Sequence, residues 1–172
     1  MAAPLAVNDD SDLPKLFAED LWTPPLHPQP RRPAPPPKVR GADEPTRILV
    51  AEPDILNQRI IRVLLSHPRI SLTQVEHGEA VIDLLAMRWF DLVILDIDSP
   101  RMEFAETTRW IRYSLSPWSD IPILGILSEE TRHMAGRLMS SGMNEWTLKP
   151  LSREDFCGKV VKLMPALHNA RL

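Results

Sequence analysis

From Arg47 onward, short apolar runs alternate with stretches in which apolar residues recur at helical spacing. The clearest run is Leu92-Val93-Ile94-Leu95, which stops abruptly at Asp96 and is followed closely by Asp98 and Pro100. A short β-branched run ended by turn formers predicts a strand buried on both faces. Ile48 to Ala51, ending at Glu52, reads the same way, as does Ile121 to Leu127. Ser71 to Val75 is more polar and predicts an edge strand. Trp146 to Leu148 predicts a fifth strand, running into Lys149-Pro150. Between the strands lie helical patterns. Asp54 is placed to cap a helix whose Leu56, Ile60, Val63 and Leu64 share one side. A turn at His77-Gly78 leads into a helix carrying Val81, Leu84 and Leu85. A third helix is expected from Ala105 to Ser114, and a fourth from Glu129 to Gly142, a good left-handed terminator. Ser152 with Asp155 has capping-box spacing for the last helix.

Strand-helix alternation with apolar inner strands predicts an α/β fold: a five-stranded, doubly wound parallel sheet. The flavodoxin-like order 2-1-3-4-5 puts strands one, three and four in the middle, where the most apolar runs belong. Ligands of such sheets sit beyond the carboxyl ends of the strands. Glu52, Asp96, Leu127 and Lys149 fall there, so they are expected to converge on one small site.

Composition changes near Arg47. Most of the 18 prolines precede it, densest from Pro24 to Pro37. Proline lacks the amide proton that helices and inner strands use, so residues 1–46 are expected as a disordered, Pro-rich arm and residues 47–172 as the folded domain. Within the arm, Leu16, Phe17, Leu21 and Trp22 could line one side of a short helix in Leu13 to Leu26, a docking peptide weighed against an unstructured tail. Pro33-x-x-Pro36 fits a polyproline ligand but serves equally as spacer. A formal net charge of −3 gives no general case for nucleic acid. Cys157 is the sole cysteine, which fits a reducing compartment. The N-terminus has no signal-peptide pattern, and no stretch reaches the roughly 20 apolar residues that span a bilayer. A cytoplasmic protein without membrane insertion is the expectation.

Three stretches carry a resemblance. RILVAEPDILNQRIIRVLL, LVILDIDSPRM and TLKPLSREDF occur in the order found in the receiver domain of two-component response regulators. From about Arg47 to about Met164 the chain resembles that family. The resemblance implies that Asp96 is the phosphoacceptor, taking a phosphoryl group from a histidine, and that Lys149 is the lysine that bonds it. It also implies Mg²⁺, held by acids after the first strand and by the acceptor, because a carboxylate attacks another anion only with charge neutralised. The expected metal ligands here are Glu52 and Asp96.

Two positions depart from the family pattern. Glu52 matches its first acid, but Pro53 stands at the second, and Asp54 comes one residue late in a capping position. Leu127 stands where the family carries a hydroxyl, with Ser128 one residue beyond and expected to point elsewhere. Trp146 fills the aromatic position that switches in the family. Mg²⁺ binding is therefore expected to be weak or absent.

The remaining candidates are bland. His27, His67, His77, His133 and His168 show no metal-ligand spacing. Arg101, Arg109, Arg112, Arg132 and Arg137 read as a solvated surface, or, with Trp110, as a site for a small anionic second messenger. Three functions stay open, none of them an enzyme in its own right. One is a single-domain regulator in a phosphorelay, contacting a histidine kinase, a phosphotransfer protein or a downstream target. The second is a phosphorylation-independent adaptor, a pseudo-receiver. The third is a receiver fold repurposed to bind a small anion.

Overall fold

The computed structural model describes residues 44–98, 103–170 and 172. The proline-rich arm, its Leu13 to Leu26 stretch, Pro100 and Arg101 lie outside the described residues. Five strands form one all-parallel sheet: β1 Thr46–Ala51, β2 Ile70–Val75, β3 Leu92–Asp96, β4 Ile123–Leu127 and β5 Glu145–Leu148. Their order is β2-β1-β3-β4-β5. The helices are α1 Ile55–Leu64, α2 Gly78–Met87, α3 Glu103–Tyr113, α4 Ala135–Ser140 and α5 Arg153–Leu163.

Side-chain alternation along the inner strands divides the core in two. Leu49, Ala51, Val93, Leu95, Ile123 and Leu127 face Val81, Leu85, Ile111 and Leu138, from α2, α3 and α4. Ile48, Val50, Leu92, Ile94, Leu124 and Ile126 face Ile61, Phe156, Val160 and Leu167, from α1, α5 and the C-terminal turn. Both faces of β1, β3 and β4 are covered, which is why these runs are apolar throughout.

Several local expectations are met. Asp54 caps α1 by accepting the Asn57 N–H at 2.8 Å. Gly142 has φ 107°, and the Arg112 side chain fills the space a Cβ would need there. Ser152 caps α5 by accepting the Asp155 N–H, but the Asp155 carboxylate turns to Thr147 and Lys159 and does not close the box.

Other expectations need correction. The first strand starts at Thr46, two residues before Ile48. The fourth starts at Ile123, because Pro122 has no N–H to offer a ladder and contributes its carbonyl to Val93 instead. The fourth helix begins at Ala135 after a 3₁₀ turn at Arg132–Met134, not at Glu129, since Ser128 to Thr131 form a hydrogen-bonded polar turn. On α1, Leu56 and Val63 are 63% and 64% exposed, while Ile61 and Leu65 are buried and Leu64 partly so. Two adjacent apolar stripes run along this helix, and of the expected positions Leu64 alone packs against the core. Gln58 hydrogen-bonds the Glu52 carbonyl, and Arg62 reaches Gln74 on β2, so the rotation is fixed by contacts far apart in sequence.

Truncating Ile94 or Leu95 to alanine is expected to cost about 2–5 kcal/mol in denaturant unfolding, as for other fully buried aliphatics. Ile61→Ala should fall in the same range, whereas Val63→Ser should stay within about 0.5 kcal/mol. Reversed costs for these two α1 variants would mean that the helix is turned the other way.

Candidate functional site

The carboxyl ends of β1, β3 and β4, with the turn after β5, bring one lysine and three acids together. Asp96 is the last residue of β3 and is buried. Its Oδ1 accepts from Lys149 Nζ at 2.8 Å and from the Asp98 N–H at 3.2 Å. Lys149 is delivered by β5, whose Leu148 pairs with Leu127, and the Lys149 N–H continues the ladder to the Leu127 carbonyl. The Lys149-Pro150 peptide is cis. Burial opposes the Lys149 charge, yet the hydrogen bond and charge of Asp96, with Glu52 and Asp98 nearby, more than offset it, and the ammonium holds its proton more tightly than usual.

Glu52 follows β1 and is 1% exposed. Its Oε1 accepts the Asp54 N–H at 2.9 Å, and its Oε2 is buried without a hydrogen-bond partner. Burial, and then the neighbouring Asp96 carboxylate, push its pKa up to about 7, against the pull of the Asp54 N–H and of Lys149. Burial and a like charge nearby both disfavour the ionised form, so the Glu52 carboxyl holds its proton to a higher pH than an ordinary carboxyl.

Asp98 was not among the expected site residues. Its Oδ1 accepts the Ser128 N–H at 2.8 Å and the Thr131 hydroxyl, and its Oδ2 lies 3.2 Å from Lys149 Nζ. Burial would raise its pKa, but the Thr131 and Ser128 hydrogen bonds and the lysine hold it below the ordinary carboxylate value. Thr131 was missed too. The available signal was the run Ser128 to Thr131, whose hydroxyls compete with helix formation and favour a turn. Ser128 reaches the acids through its backbone, while its hydroxyl lies 3.3 Å from Thr131.

The other expected positions fall around this cluster. Leu127 is fully buried and packs into the core, so no hydroxyl faces Asp96 from there. Asp54 is exposed and spent on its cap. Trp146 is half-buried against the core, with the Lys159 ammonium 5.4 Å from its ring centroid. Arg112 is occupied: it donates to the carbonyls of Gly142 and Ser119 and to the Asn144 side chain, tying α3 to the turns around β4 and β5. Arg132 pairs with Glu129. Among the described residues, no group of three or more His, Cys, Asp or Glu is arranged to hold a metal ion. Glu52 and Asp96 are the two carboxyls left to serve one.

Residues 48–161 match the family model of the response regulator receiver domain. This chain belongs to that family. A CAI-1 autoinducer sensor kinase/phosphatase, CqsS of Vibrio cholerae, is 30% identical over 114 residues, 66% of this chain and 17% of that protein. Response regulator MprA of Mycolicibacterium vanbaalenii is 29% identical over 122 residues, 70% of this chain and 51% of that protein. The chain thus spans about half the length of one relative and less of the other. Among solved structures, the receiver domain of the Pseudomonas aeruginosa sensor histidine kinase PA1611, with magnesium coordinated in its active site cleft, is similar at a TM-score of 0.62. It is 20% identical, and the match covers 70% of this chain and 98% of that one. Chemotaxis response regulator CheY4 of Vibrio cholerae gives the same TM-score at 19% identity, over 70% of this chain and 99% of that one. The likeness to these two structures is one of fold, and no helix among the described residues is long and apolar enough to cross a membrane.

In this receiver domain the raised Glu52 pKa has a consequence for stability. In the unfolded chain the carboxyl titrates near its ordinary value of 4.5, and in the native state near about 7. Between these values the native state holds a proton that the unfolded state lacks, so stability falls as pH rises through the window and levels off above it. Glu52→Gln cannot ionise. Denaturant unfolding between about pH 5 and pH 8 should show wild type losing stability relative to the variant. Parallel profiles would contradict the assignment.

Proposed function

We propose that this receiver domain carries a two-component signal by protein–protein contact, with a pocket whose charge is balanced from within. The observation that carries the reading is the full burial of Leu127 in the core, which leaves no hydroxyl facing Asp96 from the end of β4; Lys149 bonds Asp96 at 2.8 Å and lies 3.2 Å from Asp98. Lys149 balances charge on these acids from within the protein, and below about pH 7 a proton on Glu52 adds to that balance. Mg²⁺ asks for near-octahedral oxygen ligands. Pro53 offers no side-chain oxygen, Asp54 is engaged as a cap, and Asp98 is engaged by Ser128 and Thr131. The residues present do not fit an ordinary receiver metal site, and Mg²⁺ binding is weak.

The partner class follows from the relatives, which are histidine kinases and response regulators. A histidine-bearing or downstream protein of that system is the partner proposed, and the exposed Leu56, Ile60 and Val63 of α1 supply apolar contact area on the helix that starts beside Glu52. A second reading, in which Asp96 accepts a phosphoryl group, is favoured by the retained Asp96–Lys149 pair. The anion-binding reading loses support because Arg112 and Arg132 are occupied.

Incubation with acetyl phosphate and Mg²⁺, followed by intact mass spectrometry, separates the first two readings. The contact reading expects no adduct above that of Asp96→Asn, and a stoichiometric, Asp96-dependent adduct would restore the phosphorelay reading. Mg²⁺ titration of Trp fluorescence should saturate at least about tenfold more tightly for Pro53→Asp than for wild type. Equal affinities would show that Pro53 is not the missing ligand position.

A further inference from the structure

Two hydrogen-bond donors beside Asp96 are already engaged, and by an anion that belongs to the chain. The Ser128 N–H and the Thr131 hydroxyl both point at Asp98 Oδ1, and Lys149 Nζ stands 3.2 Å from Asp98 Oδ2. These three donors come from two turns that are separate in sequence: the β4–α4 turn and the turn after β5. Together with the acceptor on the β3 turn, they make a small anion cradle, and the carboxylate in it is largely screened from solvent, its side chain 17% exposed. Charge-assisted hydrogen bonds of this kind are stronger than neutral ones, and they engage the Ser128 N–H and the Thr131 hydroxyl. They also explain why the chain from Ser128 to Thr131 stays a turn while the helix waits until Ala135.

We propose that Asp98 is an internal ligand of this cradle, an autoinhibitory latch that occupies the place an external phosphate-like anion would take and locks the β4–α4 turn to the end of β3. An external anion would have to displace a carboxylate that accepts two hydrogen bonds at Oδ1 and stands 3.2 Å from the Lys149 ammonium, and it would meet that carboxylate's charge as it approached. With Asp98 in place, the turn leading into α4 keeps one conformation whatever happens at Asp96. The latch rests on the reading of the pocket as internally balanced, but it concerns Asp98 and its donors, not the phosphoryl chemistry of Asp96.

The test uses the full chain and inorganic phosphate as the probe, at constant ionic strength, with the Ser128 amide followed by NMR. In wild type the Ser128 resonance should stay still. In Asp98→Ala the freed Ser128 N–H and Thr131 hydroxyl, beside the Lys149 ammonium, should bind phosphate saturably, with affinity at least about tenfold above wild type. Asp98→Asn keeps the shape, removes the charge and carries the test should the alanine variant fail to fold; it too should bind phosphate more tightly than wild type. Amide exchange stands beside these: in wild type the Ser128 amide should exchange more slowly than that of Glu129, and Thr131→Val should reduce the difference. Equal phosphate affinity in wild type and a folded Asp98 variant, no binding by either folded variant, or a rapidly exchanging Ser128 amide in wild type would each overturn the latch. An Asp96 adduct with acetyl phosphate would overturn the contact reading while leaving the Ser128 comparison to stand or fall by itself.

Discussion

The structure of this pocket depends on one ion pair. Lys149 and Asp96 are 53 residues apart, and they meet at 2.8 Å because β5 and β3 both end at the same rim of the sheet. Without the lysine, Asp96 and Asp98 would sit together beside Glu52 with no cation between them. Removing one partner of a buried pair typically costs about 3–5 kcal/mol, because the other is left charged and desolvated. The proton on Glu52 and the donors on Asp98 are the remaining means of keeping this acidic corner folded. The proton removes a charge and the donors stabilise one, and neither needs a component from outside the chain.

The same balance connects fold to function. Asp96 ends a strand whose other residues are all in the core, so it cannot move far without disturbing β3. Leu127, at the end of β4, is fully buried and offers the pocket packing in place of a hydroxyl. The half-buried Trp146 lies near the Lys159 ammonium, which adds to its reasons to stay where it is. A ligand changes a conformational equilibrium only through contacts that differ between the two states. A pocket whose donors are committed to its own side chains has few such contacts to offer.

Much of this was legible in the sequence, for identifiable reasons. The inner strands announced themselves because a strand covered on both faces must be apolar at every position, as Leu92 to Leu95 are. Asp96, Glu52 and Lys149 were legible because the strand order places their ends together, and Asp54 because a cap has a local signature. The rotation of α1 was legible only in part: of the expected Leu56, Ile60, Val63 and Leu64, Leu64 packs against the core while the buried stripe runs through Ile61 and Leu65, and only the tertiary contacts choose. Asp98 and Thr131 were hidden for a related reason. They are 33 residues apart, and neither has a local pattern that demands the other. Arg112 looked like one more surface cation until the Gly142 and Ser119 carbonyls and Asn144 were seen around it.

The most direct measurement of the internal balance is the ¹⁵N resonance of the Lys149 ammonium, observed with and without Mg²⁺. If the lysine is the cation of this pocket, its signal should be resolved and slow to exchange, should change in Asp96→Asn, and should be indifferent to added Mg²⁺. A Lys149 signal that shifts and sharpens into that of a free, rapidly exchanging ammonium as Mg²⁺ is added would show the metal displacing it, and would contradict the account.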